Sequence, residues 1–552
     1  SGTTATKTTP PTPTPEQANA IEALEQELNK GEFSTFLIHG VTGSGKTEIF
    51  MSMISKVIEN KKQAIVLVPE IALTPQMTAR FISRFGSRTA IIHSALSLGE
   101  RYDEWKRIID GEVDVVVGAR SAVFAPLNNI GAIILDEEHE TTYKSEISPR
   151  YHARQVAEFR ARQNNALLVF ASATPLLESM YKAKIGSYNL ITLKERYNKN
   201  ALPKVLVVDM RQELADGNRS MLSRRLKDEI EQNLKDKKQT ILFLNRRGFS
   251  TFVSCRSCGY VAKCSHCSIS LTYHRYTDTL QCHYCAHQRS NYKLCPTCGS
   301  KYIKYFGAGT QRLEDELKCI FEGISVIRMD ADTTTTKSSH QRILEAFEKE
   351  KIDVLIGTQM VAKGLDFKDV TLVGVVAADI SLNIDDFRSA ERSFSLITQV
   401  TGRAGRGSVL GRAIIQTYLP EHSAIELAKN HDYNGFYADE IQMRNALWYP
   451  PFSELITIHL SGSSENMVSS LLRDISKLIR KRGAELDYGR LEVLGPAPAG
   501  IAKVKDKYRW HLIIKCENAD LLNPILKEVI QTHAKHLNAK RLSLVIDKNS
   551  IS

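Results

Sequence analysis

Short, uninterrupted apolar runs alternate with amphipathic stretches over most of the chain. A first series comprises Phe36-Leu37-Ile38 and residues 64–68, 90–92, 113–117, 132–135 and 167–170. A second returns after Leu202, at residues 205–208, 240–244, 325–327, 354–356, 371–376 and 413–415. Runs that are apolar on both faces and separated by helical segments predict parallel strands covered on both sides. The expected fold class is therefore α/β, with one lobe over residues 16–200 and a second over residues 201–250 and 306–445. Residues 251–305 interrupt the second series after its second strand. Beyond Tyr449-Pro450-Pro451-Phe452 the pattern becomes strand (455–460), helix (466–482), strands (491–494, 510–515), helix (519–536) and strand (542–546). That texture predicts a small α+β domain over residues 446–552. The Thr/Pro-rich stretch 1–15 predicts a disordered leader.

Composition narrows the class without naming it. A chain of 552 residues has room for about three to five domains. Hydrophobic residues at 42% and charged residues at 24% are ordinary globular usage and exclude wholesale disorder or a collagen-like chain. No uncharged apolar run approaches membrane-spanning length and no signal-like segment opens the chain, so cytoplasmic residence away from membranes is expected. The net charge of +11 favours a polyanionic partner.

Cysteine changes the picture most. Eight of the ten cysteines form four C-x-x-C pairs: Cys255/Cys258, Cys264/Cys267, Cys282/Cys285 and Cys295/Cys298. Two such pairs can close one tetrahedral zinc site, so four close two. A disulfide framework would need an oxidising compartment, and redox chemistry would need one exposed pair. Ile269, Leu271 and Tyr273 alternate before a turn near Thr277-Asp278, a hairpin that would bring the two middle pairs together and leave Cys255, Cys258, Cys295 and Cys298 for the other site. Eight cysteines fill both sites, leaving His266, His274, His283 and His287 as surface groups or supports for the ligands. The module holds seven Lys/Arg against Asp278. That surplus either contacts DNA or balances thiolate charge.

The segment Gly40-Val41-Thr42-Gly43-Ser44-Gly45-Lys46-Thr47 fits a phosphate-binding loop between a strand and a helix running from Thr47 to about Ile58. Glycines let backbone amides curve around phosphates, Lys46 would reach the β and γ phosphates of ATP, and Thr47 would ligate Mg²⁺. Residues 132–135 end in Asp136-Glu137-Glu138-His139, at a strand's carboxyl edge. Asp136 is expected to hold the magnesium shell and Glu137 to activate water. Gln399, Arg403 and Arg406, in the Gln399–Arg406 block of the second lobe, are the remaining catalytic candidates; a guanidinium delivered across a cleft stabilises charge on the transferred phosphoryl group.

In order, these motifs resemble a superfamily 2 helicase with two RecA-like lobes, and more closely the PriA-type replication-restart DNA helicases. The resemblance rests on GVTGSGKTE, PEIALTPQ (69–76), GARSAVFAP (118–126), DEEH, SATP (172–175), NRRGF (245–249), the eight-cysteine block, GTQMVAKG (357–364) and TGRAGR. It implies ATP-driven 3′→5′ unwinding of forked DNA and replication restart through primosome assembly, with forked and single-stranded DNA as the nucleic-acid partners. The implied partners are single-strand-binding protein and helicase-loading proteins, and a monomer is expected. The resemblance implies that Gln17 contacts adenine and that Ser172 and Thr174, with His139, couple hydrolysis to DNA movement. It implies that Thr74, Arg120, Ser121, Thr358, Gln359 and Lys363 track the DNA backbone. Tyr143, Lys144, Arg150, Tyr151, His152 and Arg154 are similar to an aromatic-rich loop that senses single strands, a task suited to rings because every base offers a stacking face. The last domain resembles one implicated in DNA and single-strand-binding-protein contacts, with Lys503, Lys505, Lys507 and Arg509 as phosphate candidates. Family members carry a 3′-end-binding domain and a winged helix ahead of the P-loop lobe, and this sequence is expected to lack them. Rival readings are a fork-binding scaffold with secondary ATP turnover, an RNA helicase and a non-unwinding DNA translocase.

Overall fold

The computed structural model describes residues 11–548 apart from 71–72, 74, 95, 198–201, 245–251, 275–276, 306–308, 331–332, 334–338, 359–366, 368, 406–409, 486–488 and 540. The first lobe is built on β1 (Ser34–Gly40), β2 (Gln63–Leu67), β3 (Thr89–Ile92), β4 (Val115–Gly118), β5 (Ile130–Asp136), β6 (Leu167–Ser172) and β7 (Asn189–Leu193). They form one parallel sheet in the order β3-β4-β2-β5-β6-β1-β7. Six of these strands carry the apolar runs. The seventh, β7, sits at an edge with Asn189, Leu190 and Thr192 exposed, so it has no apolar run to betray it. Thr14 and Pro15, expected to end a leader, instead open the first helix. Thr14 Oγ1 accepts from the Gln17 backbone while the Gln17 side chain accepts from the Thr14 backbone. Such a reciprocal cap contributes about 1 kcal/mol.

In the second lobe β8 (Lys204–Asp209) and β9 (Gln239–Phe243) precede the cysteine module. The module contains the short strands β10 (Val253–Cys255), β11 (Thr272–His274), β12 (Thr279–Gln281), β13 (Gln288–Ser290) and β14 (Ile303–Tyr305). Pairing of β10 with β14 brings the module's two ends together, so the insertion leaves the lobe's sheet intact. The lobe resumes with β15 (Val326–Met329), β16 (Val354–Gly357), β17 (Val370–Val375) and β18 (Arg412–Thr417), giving a parallel sheet in the order β15-β16-β9-β17-β18-β8. The expected hairpin is present as β11 paired with β12, turning at Asp278 with φ of 48°.

The last domain has β19 (Glu454–Gly462), β20 (Leu491–Val504), β21 (Lys507–Cys516) and β22 (Ser543–Lys548) in an antiparallel sheet ordered β20-β21-β19-β22. Its helices Glu465–Glu485 and Asn523–Ala539 pack on the sheet through Val468, Leu472, Ile475, Ile479, Ile525 and Val529. β20 and β21 run well past their apolar segments into an exposed polar hairpin at Lys505 and Asp506, which hydrophobic pattern alone does not mark. Among the described residues no helix is long and apolar enough to cross a membrane.

One buried cluster runs across both lobes, from Leu37, Leu135 and Phe170 to Phe394, Ile397 and Tyr433. Helix Ser389–Thr401 lies in it, buried along almost its whole length, polar Ser393, Ser395, Thr398 and Gln399 included. Buried polar groups need partners: Ser393 finds one within the helix, at Ser389 O, whereas Ser395 and Gln399 find theirs across the interface in the first lobe.

Candidate functional site

Parallel register sets the site. β6 separates β5 from β1, with Asp136 opposite Ala171 and His39 opposite Ser172, so the loop after β1 and the acidic turn after β5 leave the same edge. The loop curls because Gly43 and Gly45 take φ of 84° and 80°, left-handed values that suit glycine. A Cβ on Gly45 would also stand 2.2 Å from Gln17 Nε2. Gln17, almost fully buried, donates from Nε2 to Ser44 O at 2.8 Å. Helix Lys46–Glu59 begins at the loop's end, and Lys46 Nζ donates to Gly40 O at 2.8 Å. A lysine parked on loop carbonyls beside a helix N-terminus makes an anion cradle.

Glu137 takes a positive φ of 46°, turning the chain immediately after Asp136. Its backbone N–H donates to Asp136 Oδ1 at 3.0 Å. Burial pushes the Asp136 carboxyl up to about 7; Glu137 adds to the rise and Lys46 opposes it. Tyr143 OH donates to Asp136 O at 2.6 Å and Leu67 O at 2.9 Å, bracing the strand end from beneath. His139 Nδ1 lies 2.7 Å from Ser172 Oγ, which also accepts from Thr174 N at 2.9 Å.

The second lobe completes the cleft. Gln399 Nε2 lies 2.5 Å from His139 Nε2 and 3.5 Å from Glu137 Oε2. Thr174 Oγ1 meets Ser395 Oγ at 2.6 Å. Gly402 abuts the phosphate loop: a Cβ there would come within 2.6 Å of Thr42 Oγ1, and Gly402 O accepts from Arg196 Nη2 at 3.2 Å. Half-buried Arg403 follows directly. His39, Thr42, Leu193, Thr398, His431 and Tyr433 line the interlobe cavity beside it. Ser395 and Arg196 had no signal in the sequence beyond proximity to a motif, and Gly402 lay within TGRAGR without a role of its own.

The DNA candidates divide. Arg120 Nη1 donates to Thr142 O at 3.2 Å and to Lys144 O, tying the residues after β4 to the loop after the acidic turn. Ser121 is exposed and Thr358 half-buried at the end of β16. Tyr143, Lys144 and Arg154 face inward: Lys144 Nζ pairs with Asp547 of β22, and Arg154 pairs with Glu138 at 3.1 Å. Tyr151 packs edge-on against Phe124. Lys503, Lys505, Lys507 and Arg509 sit exposed on the β20–β21 hairpin. Thr74, Gln359, Lys363 and Arg406 lie outside the described residues.

The eight module cysteines form two groups, Cys255, Cys258, Cys295 and Cys298, and Cys264, Cys267, Cys282 and Cys285, each with its sulfurs within 4.8 Å of one another. Sγ separations are 3.7 Å for Cys255–Cys298, 3.5 Å for Cys258–Cys295 and 3.6 Å for Cys264–Cys285. Tetrahedral zinc with bonds of about 2.3 Å requires edges of about 3.8 Å, so both groups fit zinc in outer-with-outer and inner-with-inner pairing. His283 is buried rather than superficial, with Nδ1 at 2.6 Å from Asp385 Oδ2 of the second lobe. It supports the module's seat.

Residues 14–182 match the DEAD/DEAH box helicase family and residues 299–408 the helicase conserved C-terminal domain. Residues 264–289 match the PriA DNA helicase Cys-rich region domain and residues 445–549 the primosomal protein N C-terminal domain. The chain is 49% identical over 545 residues to the replication restart protein PriA of Bacillus subtilis, covering 98% of this chain and 67% of that protein. The chain belongs to the PriA family. The Synechocystis PriA is 45% identical, covering 91% of this chain and 61% of that protein, and the Treponema pallidum PriA is 41% identical, covering 93% and 76%. This PriA-family chain thus spans between three fifths and about three quarters of those relatives. A solved structure of RecG bound to a three-way DNA junction overlaps weakly, with a TM-score of 0.45 at 15% identity over 80% of this chain and 51% of that one.

Proposed function

We propose that this chain is the motor portion of a PriA helicase: an ATP-dependent, 3′→5′ DNA-unwinding enzyme that acts on forked DNA and restarts replication by primosome assembly. The observation that carries the reading is the convergence of Lys46, Glu137 and Gln399 on one interlobe cleft, with Gln399 reaching both Glu137 and His139. In this reading residues 16–200 are the ATP-binding lobe, 201–250 and 306–445 the second lobe, 251–305 the two-zinc insertion and 446–552 the C-terminal domain.

Each residue then has a task. The amides of residues 40–45 and Lys46 cradle the phosphates, and Gln17 reads the adenine. Thr47 and Asp136 would hold magnesium, which supplies charge neutralisation on the triphosphate when bound. Glu137 orients the attacking water and takes its proton. Arg403 and Arg406 stabilise charge on the departing γ-phosphoryl group. His139, Ser172 and Thr174 pass lobe movement to the DNA strand, which residues at 74, 120–121, 358–359 and 363 grip. The loop at 143–154 senses single-stranded DNA, and single-strand-binding protein and helicase loaders dock on the assembled complex. ATP binding closes the lobes and hydrolysis reopens them, so alternating grip moves a monomer along one strand.

The decisive experiment measures ATP turnover with single-stranded DNA, forked DNA and RNA, then strand displacement on polarity-tagged forks. Lys46→Ala is expected to abolish DNA-stimulated turnover. Glu137→Gln is expected to bind ATP but lose hydrolysis by about 10²–10⁴-fold. Full turnover in Lys46→Ala, or displacement from the opposite polarity, would overturn the assignment.

A further inference from the structure

Helix Tyr433–Ala446 leads out of the second lobe toward the C-terminal domain. Both ends are tied to the first lobe. At its start, Tyr433 OH donates to Pro175 O at 2.8 Å, one residue beyond Thr174. Near its end, Arg444 is 1% exposed. Its Nη2 donates to Glu391 Oε2 at 2.7 Å, and its Nη1 donates to Pro450 O at 3.2 Å and lies 3.5 Å from Glu178 Oε1. Its Nε lies 3.4 Å from Glu440 Oε1.

Those carboxylates are shared between lobes. Glu391, on the second-lobe helix that carries Gln399, accepts through its other oxygen from Leu177 N of the first lobe at 2.8 Å. Glu178 of the first lobe accepts from Arg388 of the second at 2.7 Å. One guanidinium therefore joins the helix that carries Gln399, the helix that begins just past Ser172–Pro175, and the chain segment entering the last domain. Arginine suits this post because its planar fork offers five donors in fixed directions, whereas lysine offers a point charge.

Burial makes the arrangement conformation-specific. Glu391 uses both oxygens, one toward Arg444 and one toward Leu177 N, and Glu178 Oε1 faces both Arg388 and Arg444; the contacts of Leu177 N and Glu178 exist only while the lobes meet as they do here. Moving the first lobe away would strip Leu177 N and Glu178 from the set and leave buried charge short of partners. We propose that Arg444 is a positioning residue of an interlobe strut that couples ATP turnover to strand displacement by linking the Ser172–Pro175 segment to the C-terminal domain. The proposal rests on the helicase reading above and adds a device for its coupling step.

Arg444→Lys keeps the charge and loses the fork; Glu178→Gln weakens the same strut from the other lobe and serves if Arg444→Lys does not fold, as judged by its thermal melt. The measurement is base pairs opened per ATP hydrolysed on forked DNA, beside kcat and the DNA concentration for half-maximal ATPase. The yield per ATP is expected to drop about fivefold or more while the ATPase kcat stays within about twofold, and the double variant is expected to match the worse single one because both cut one strut. A parallel loss of ATPase and unwinding, or an unchanged yield per ATP, would overturn the strut. A wild-type chain that hydrolyses ATP yet opens no duplex would overturn the helicase reading, and the strut with it.

Discussion

Gln399 of the second lobe touches His139 of the first, Nε2 to Nε2, at 2.5 Å. With the amide nitrogen donating, the facing ring nitrogen accepts, and Nδ1 on the other side of the ring meets Ser172 Oγ at 2.7 Å. One hydrogen-bonded line thus runs from the second lobe through the acidic turn to Ser172 and Thr174. Gln399→Ala should break it. ATP affinity is expected to change little, while stimulation of turnover by single-stranded DNA should drop about tenfold or more, in the range typical of coupling between sites. Titrating DNA against steady-state ATPase would check this.

Gly402 leaves no room for a side chain beside Thr42. Its φ of −64° is ordinary, so backbone strain is not the issue. A methyl group at 2.6 Å from Thr42 Oγ1 and 3.1 Å from Thr398 O has to displace the Thr42 side chain or shift the Gly402 backbone, and with it Arg403, away from the phosphate loop. Gly402→Ala should therefore lower kcat for ATP far more than it weakens ATP binding, because in the mechanism we propose the arginine acts chiefly on the transition state. Nucleotide binding by fluorescence and turnover by phosphate release would separate the two effects.

Zinc should hold the module together. Elemental analysis is expected to find two zinc ions per chain, and chelation to release both. Structural zinc contributes roughly 10–16 kcal/mol of apparent binding energy in small peptides, so stripped protein should lose protease resistance within residues 251–305 first. Cys264→Ser, which removes one thiolate from the inner group, should leave the outer site loaded. A chain purified with no zinc would refute both sites.

Two histidines serve as helix caps and must stay neutral to do so. His152 Nδ1 accepts from Arg154 N and His422 Nδ1 from Ala424 N, each at 3.2 Å. Burial lowers His152 to about 3, helped by Arg154 and Lys144, and lowers His422 to about 4, helped by Lys263. Both folded values lie below the ordinary 6.5. Their contribution to stability is therefore fully present above about pH 6.5 and is lost as pH falls through about 4 for His422 and about 3 for His152. His152→Asn and His422→Asn, which cap without titrating, should flatten the fall in melting temperature between pH 6 and pH 4.

Much of this protein was legible before any coordinates. The twelve apolar runs appear as strands, most of them because a strand buried on both faces must be apolar without interruption; edge strands β8 and β15 are only partly buried yet keep their apolar runs. The phosphate loop, the acidic turn and the four C-x-x-C pairs could be read because their chemistry depends on residues close together in sequence. β7 and the β20–β21 hairpin escaped because exposed strands carry no such burial requirement. Which of these groups touch one another escaped for a different reason. Gln399 lies 260 residues from His139, Arg444 pairs with carboxylates from two separate lobes, and Lys144 finds Asp547 at a separation of 403 residues. Local spacing specifies which groups are present; only the folded packing of two lobes and a C-terminal sheet decides which buried charges meet, because those meetings depend on distances that the order of residues does not contain.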